Sequence, residues 1–252
     1  MLMTREQLGR LSETDVRDAI PADTLLSALA SSPFIPSASL VNIRDLGSVT
    51  GSAIRPGAIY RCGTLEAAAK DPDALEWLAT KVKHIFDIRS PRERERHPDP
   101  EVRGVTNTWF NSTVLDGQPV LEEFVEADGA PGLRKEYLKI LDIYQPTFRV
   151  ILEHSLAGAN PEDVRFDYML SRIGTEPARE KLLSYARIGT GVTFDHPGFY
   201  NMCSLRTSCW DAFVAGVQEE HGGWDGYAMK TLGFSSDDLA RIKANLRGSK
   251  AL

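Results

Sequence analysis

The stretch "DPDALEWLATKVKHIFDIRS", residues 71–90, restricts the fold more than any other part of this sequence. Asp71 has the short acceptor side chain of a helix N-cap, and Pro72 suits the first helical position, where its missing N–H costs nothing. Leu75, Leu78, Ala79 and Val82 then recur at helical spacing and make one apolar face. The period changes at "KHIFDIRS", a short apolar run ending in charge, which reads as a buried central strand with Asp87 and Arg89 at its C-terminal end. "SLVNIRDLGS" and "AIRPGAIYRCG" upstream are short β-rich runs separated by the turn signal "TGS", and "VTNTWFN" downstream is a further candidate strand. Strand, helix and strand at this spacing predict a βαβ unit and an α/β fold. "PRERERHPDPEVRG", between two strands, is too charged and Pro-rich for a core element and reads as a loop.

Ahead of this unit, Ser12 followed by Asp15 resembles an N-cap with an acidic first turn, and "DTLLSALASSPF" reads as a second helix. Beyond about residue 131 every periodic segment is helical. Three of these helices have expected caps: Asn160 before Pro161, Thr175 before Glu176, and Ser236 before Asp237, with Gly248 closing the last. One domain over residues 1–252 is the expectation, with an α/β part at about 35–115 and a helical second half or lid at about 131–248.

The 252 residues suffice to bury a sizeable core, and the composition, 42% hydrophobic and 25% charged, is that of an ordinary globular chain. A net charge of -6 argues against nucleic acid or an anionic membrane as partner. No apolar run reaches the roughly 20 residues a transmembrane helix needs, and the N-terminal segment has no apolar core of signal-peptide length. Cys62, Cys203 and Cys209 are odd in number and widely spaced, as reduced thiols in the cytoplasm would be. No Cys pair has zinc-ligand spacing with His partners, so no metal and no cofactor is expected.

Five motifs stand in order along the chain: "VNIRDLG", "IRPGAIYRCG", "IFDIRS", "FDYMLSRIG" and "GGWDGYAMKTLGFSSDDLARIKANL". In this order the chain resembles the tyrosine/serine phosphatases of fungi and bacteria, over roughly residues 35–248. Their motifs are N-F-R-D-L-G, R-P-G-x-x-Y-R-S, D-L-R-S and D-Y-x-x-S, followed by a Y-G-x-x-x-x-Y-L segment and a short capped helix. The resemblance implies a protein-tyrosine-phosphatase-like fold, with a small central, mostly parallel sheet flanked by helices. It also implies a phosphorylated protein or a phosphoinositide as substrate, and leaves oligomerisation open. The residues agree with it. Arg44, Asp45, Arg61, Asp87 and Arg89 all fall at strand ends, where α/β sheets gather ligands, and guanidinium groups there suit a phosphate. An internal ion network of the same residues is the alternative reading.

The resemblance also implies a signature H-C-x-x-G-K-D-R-T-G, in which a Cys thiolate attacks phosphorus, backbone N–H groups cradle its oxygens and an Arg six residues on clamps them. Six residues after Cys62, Cys203 and Cys209 stand Ala68, Cys209 and Ala215, so no Cys-x5-Arg is present and no catalytic residue is assigned. In "FRVILEHSLAGANPEDVRFDYMLSRIG", residues 148–174, the helix that precedes the signature strand in the family runs into the end of the helix that follows the loop. A strand, a loop and most of a helix are missing between Glu153 and Gly158, about 25 residues by typical element lengths. An alternative register puts Ser155 and Pro161 on the Cys and Arg positions, which removes the chemistry equally. Two functions remain: a phosphatase-family member inactive as written, or a non-catalytic module binding a phospho-ligand or a protein. Cys62, Cys203, Cys209 and His154 read as packing or helix-end residues, and His196 and His221 as loop residues without an assigned partner.

Overall fold

The computed structural model describes residues 2–110, 118–154 and 161–246. It is mixed α/β. In chain order it contains α1 (Arg5–Ser12), α2 (Ala22–Leu29), β1 (Arg44–Asp45), β2 (Tyr60–Arg61), α3 (Pro72–Lys81), β3 (His84–Asp87), α4 (Pro91–Arg96) and β4 (Thr106–Trp109). There follow α5 (Ala130–Ile143), α6 (Gln145–His154), α7 (Pro161–Gly174), α8 (Arg179–Thr190), α9 (Pro197–Cys203), α10 (Thr207–His221), α11 (Trp224–Gly226) and α12 (Ser236–Leu246).

The α/β half is built largely as its sequence indicates. β1 and β2 pair antiparallel, Arg44 opposite Arg61, across the turn in which Ser52 N–H donates to Val49 C=O at 2.9 Å. Asp71 caps α3 by accepting from the Asp73 and Ala74 N–H groups. β3 and β4 pair parallel, His84 opposite Thr106 through Asp87 opposite Trp109. Ala74 and Leu78 of α3 pack with Leu40, Ile43, Leu65 and Ala68, and Ile85 joins them from the sheet.

Five expectations are corrected. β3 is not a central strand: among the described residues its sheet has two strands, three of its four residues are half-buried, and Ile88 beyond it is 48% exposed. "PRERER" is a helix, because Ser90 and Glu93 form a reciprocal capping box around Pro91; its charges stand on an exposed surface, where they do not oppose helix formation. The first helix starts at Arg5, capped by Thr4 with Gln7, and Ser12 lies at its end, donating to Gly9 C=O. Thr175 caps nothing; its hydroxyl donates back to Ser171 C=O at 2.7 Å, so the chain stays coiled and α8 begins at Arg179. At the last helix the cap is Ser235, one residue earlier than expected, with Asp238 closing the box. Asn160 and Gly248 lie outside the described residues, as does most of the segment between Glu153 and Gly158.

The helical half is organised by α5 against α10, where Leu138, Leu141, Phe213 and Val217 meet Tyr227, Leu232, Phe234, Leu239 and Ile242 of the C-terminal segment. Tyr227 ties this segment down by donating to Leu141 C=O at 2.7 Å. α7 lies between the halves. Its Leu170 and Ile173 are fully buried against Leu8, Ala28 and Phe34 of the N-terminal segment. Leu170→Ala is expected to cost about 2–5 kcal/mol of unfolding free energy through the lost transfer energy and the cavity. The readout is a lower urea midpoint at unchanged slope.

Candidate functional site

β1 delivers Arg44 to the inner surface of α7, and three of the sequence motifs meet there. Arg44 is fully buried. Its Nε donates to Asp167 Oδ1 at 2.8 Å, and its Nη2 donates to the Asp167 carbonyl at 3.0 Å and to Ser171 Oγ at 3.0 Å. Nη1 donates to Asn42 Oδ1. Burial pulls the Arg44 pKa down from its ordinary value, and the Asp167 carboxylate offsets part of that by favouring the charged form. Asp167 and Ser171 are four residues apart, one helical turn, so both present polar atoms to the same guanidinium. Asn42 takes a left-handed backbone, φ 61°, to turn its amide inward. Gly174 permits the approach: a Cβ there would lie 1.9 Å from Asn42 Oδ1.

Asp45 points the other way and folds the chain around itself. Oδ1 accepts from Gly47 N–H at 2.9 Å; Oδ2 accepts from Ser48 Oγ at 2.7 Å and Gly57 N–H at 2.9 Å. It thereby fastens "DLGS" to "RPG". Arg61, opposite Arg44 on β2, reaches the same Asp167 with Nη1 at 3.3 Å and keeps 41% of its side chain exposed. Of the five candidate residues, it is the cation at this centre with donors open to solvent.

Asp87 and Arg89 form a second cluster at the C-terminal end of β3. The pair is bidentate, both bonds 2.9 Å. Arg89 also meets Asp99 at 2.7 Å and donates to His97 C=O at 2.7 Å, so its donors are spent on the protein, and Asp87 ahead of all other causes raises its pKa. Cys62 lies within electrostatic range of both clusters, Asp99 opposing its ionisation and Arg61 and Arg44 favouring it. Burial outweighs all of these and pushes the Cys62 thiol up to about 12, with its sulfur 3.3 Å from Val41 C=O. The arrangement therefore holds two ion networks and a protonated thiol. Among the described residues no buried side-chain nitrogen or oxygen lacks a hydrogen-bond partner, and no group of three His, Cys, Asp or Glu is placed to hold a metal ion.

The other singled-out residues sit in the scaffold. Cys209 is buried within α10, Cys203 ends α9, and His196, expected in a loop, caps α9 through Nδ1 and Gly198 N–H. His221 closes α10 with Nδ1 3.2 Å from Thr231 Oγ1. Asp167, Ser171 and Asn42 were absent from the candidate set; the signal that finds them is a polar pair at i, i+4 on the otherwise apolar inner face of α7. Removing Asp167 leaves a buried guanidinium without its counter-ion, so Asp167→Ala is expected to lose about 3–5 kcal/mol in chemical denaturation.

Among the described residues no helix is long and apolar enough to cross a membrane. A comparison with curated proteins finds no match. The model of the tyrosine phosphatase family matches residues 35–156 and again residues 148–248, two stretches that overlap at the end of α6 and together take in both clusters. By that match the chain belongs to the tyrosine phosphatase family.

Proposed function

We propose that this chain is a tyrosine-phosphatase-family domain that does not hydrolyse phosphomonoesters as its sequence stands. One observation carries this reading: none of Cys62, Cys203 and Cys209 has an Arg six residues on. Without that Arg the dianionic transition state lacks its clamp, a term worth several kcal/mol. The thiols themselves support it. Burial pushes Cys203 up to about 11, raises Cys209, and holds Cys62 at about 12, so thiolate is scarce at neutral pH. The division of the family match into two stretches overlapping at 148–156 fits a signature segment deleted between Glu153 and Gly158. Three free thiols also fit a cytoplasmic setting.

A second reading rests on Arg61. Its half-exposed guanidinium stands beside the buried Arg44, with one carboxylate, Asp167, shared between the two. A phosphorylated protein or phosphoinositide headgroup would be held there by Arg61. Arg44 and Asp45 would fix the strand that carries it, and Asp87 and Arg89 the neighbouring strand end. In this reading the family's recognition of phosphate survives its chemistry.

An assay with 4-nitrophenyl phosphate is expected to give no turnover above buffer, for the chain as written and for Cys62→Ser alike. Turnover abolished by Cys62→Ser would identify Cys62 as a nucleophile and sink the reading. Iodoacetamide at pH 7.5 is expected to alkylate Cys62 far more slowly in the native protein than in urea, because burial suppresses both access and ionisation. For the second reading, phosphotyrosine titrated against the protein is expected to bind about tenfold more weakly to Arg61→Ala, the loss of a charge-assisted bond. Equal binding would discard Arg61.

A further inference from the structure

A cavity of about 740 Å³ lies between one face of the β3–β4 pair and the segment that connects the two strands. That volume is in the range of small-molecule sites, roughly 300–1,000 Å³. The register explains its floor: Ile85 stands opposite Asn107 and Asp87 opposite Trp109, so these four side chains share a face. Ile85, Asn107 and Trp109 line the cavity from the sheet, and Arg94 of α4 with Val102 and Val105 lines it from the connection.

Two of these side chains are set for a ligand. The Trp109 indole is fixed by its Nε1 donating to Arg89 C=O at 2.9 Å, which leaves an immobile apolar wall. The Arg94 guanidinium sits over that ring, 4.7 Å from its centroid, and is half-exposed. Its nearest carboxylate, Asp87, is 3.6 Å away, beyond hydrogen-bonding distance, and already accepts both bonds of Arg89. Stacking on an aromatic ring orders a guanidinium while leaving its edge donors available for a planar two-oxygen acceptor.

The surrounding charge selects among acceptors. Asp99, Glu95 and Glu101 put three carboxylates in the lining and Asp87 lies behind it, with Asp87 and Asp99 both paired to Arg89. A phosphate dianion would meet their repulsion with twice the charge of a carboxylate, and a cation would meet Arg94. We propose that the cavity on the β3–β4 face binds a small monocarboxylic acid with an apolar body, its carboxylate bidentate on Arg94 and its body against Trp109. None of the residues invoked for phosphate lines this cavity, and the site stands whether or not that reading does.

The test is titration of the full chain with 3-phenylpropionate, followed by the indole N–H resonances of uniformly ¹⁵N-labelled protein. Four tryptophans are present, and Trp109→Phe assigns the relevant signal. The expected result is a saturable shift confined to the Trp109 resonance and at least tenfold weaker binding in Arg94→Gln. Arg94 is half-exposed, and an unchanged melting temperature of that variant verifies its fold. A wild-type spectrum unmoved by the acid, or equal affinity in Arg94→Gln, overturns the proposal. So does stronger binding of phenyl phosphate or of 3-phenylpropylamine than of the acid, which would assign the cavity to a different ligand class.

Discussion

The Arg44–Asp167 pair is the interaction on which the rest of the architecture rests. A guanidinium removed from water costs several kcal/mol unless its donors are filled. The chain meets the requirement with one turn of α7, which offers a carboxylate, a carbonyl and a hydroxyl. Every neighbouring feature follows from bringing that turn into position. Gly174 lacks a side chain because Asn42 lies against it, Asn42 is left-handed because its amide must reach Arg44, and Leu170 and Ile173 anchor the helix to the N-terminal segment. A hydrophobic pair at the same place would be at least as stable in principle. What the ion pair adds is geometry: a bidentate contact fixes the rotation of α7 relative to β1 in a way that packing alone does not.

Much of this was legible in the sequence, and for identifiable reasons. α3 and β3 were readable because capping and periodicity are local, and both are satisfied within 16 residues of Asp71. The convergence of the motifs was not readable from spacing, since the partners of Arg44 on α7 lie 123 and 127 residues on, and the i, i+4 pair of Asp167 and Ser171 marks a polar spot without saying what it faces. The misread helix at "PRERER" has the same origin in reverse. Charge density alone reads as loop, whereas a helix that only needs to be exposed tolerates charge, and the Ser90–Glu93 box decides the matter. Strand centrality was overestimated because an apolar run measures what a segment could bury; two strands leave β3 half-covered.

The two ion networks differ in what they leave over. At β1–β2 the buried cation is saturated and the exposed one, Arg61, shares its carboxylate. At the end of β3 the order is similar, with Arg89 saturated by Asp87, Asp99 and a carbonyl, and Arg94 left at the margin against Trp109. In both places an inner arginine holds the backbone and an outer one faces solvent. This division of labour separates the residues that keep the fold from those available for recognition.

The distance along the chain between Arg44 and its counter-ion has a consequence during synthesis. The two are 123 residues apart. At translation rates of about 5–20 residues per second, roughly 6–25 s pass between the emergence of β1 and that of Asp167. Throughout that interval the α/β half carries a guanidinium with no partner to be buried against, so it stays hydrated and the half cannot close. The docking of α7 is then the step that closes this half, while the residues that complete the helical core, Phe213 to Ile242, are still to be made.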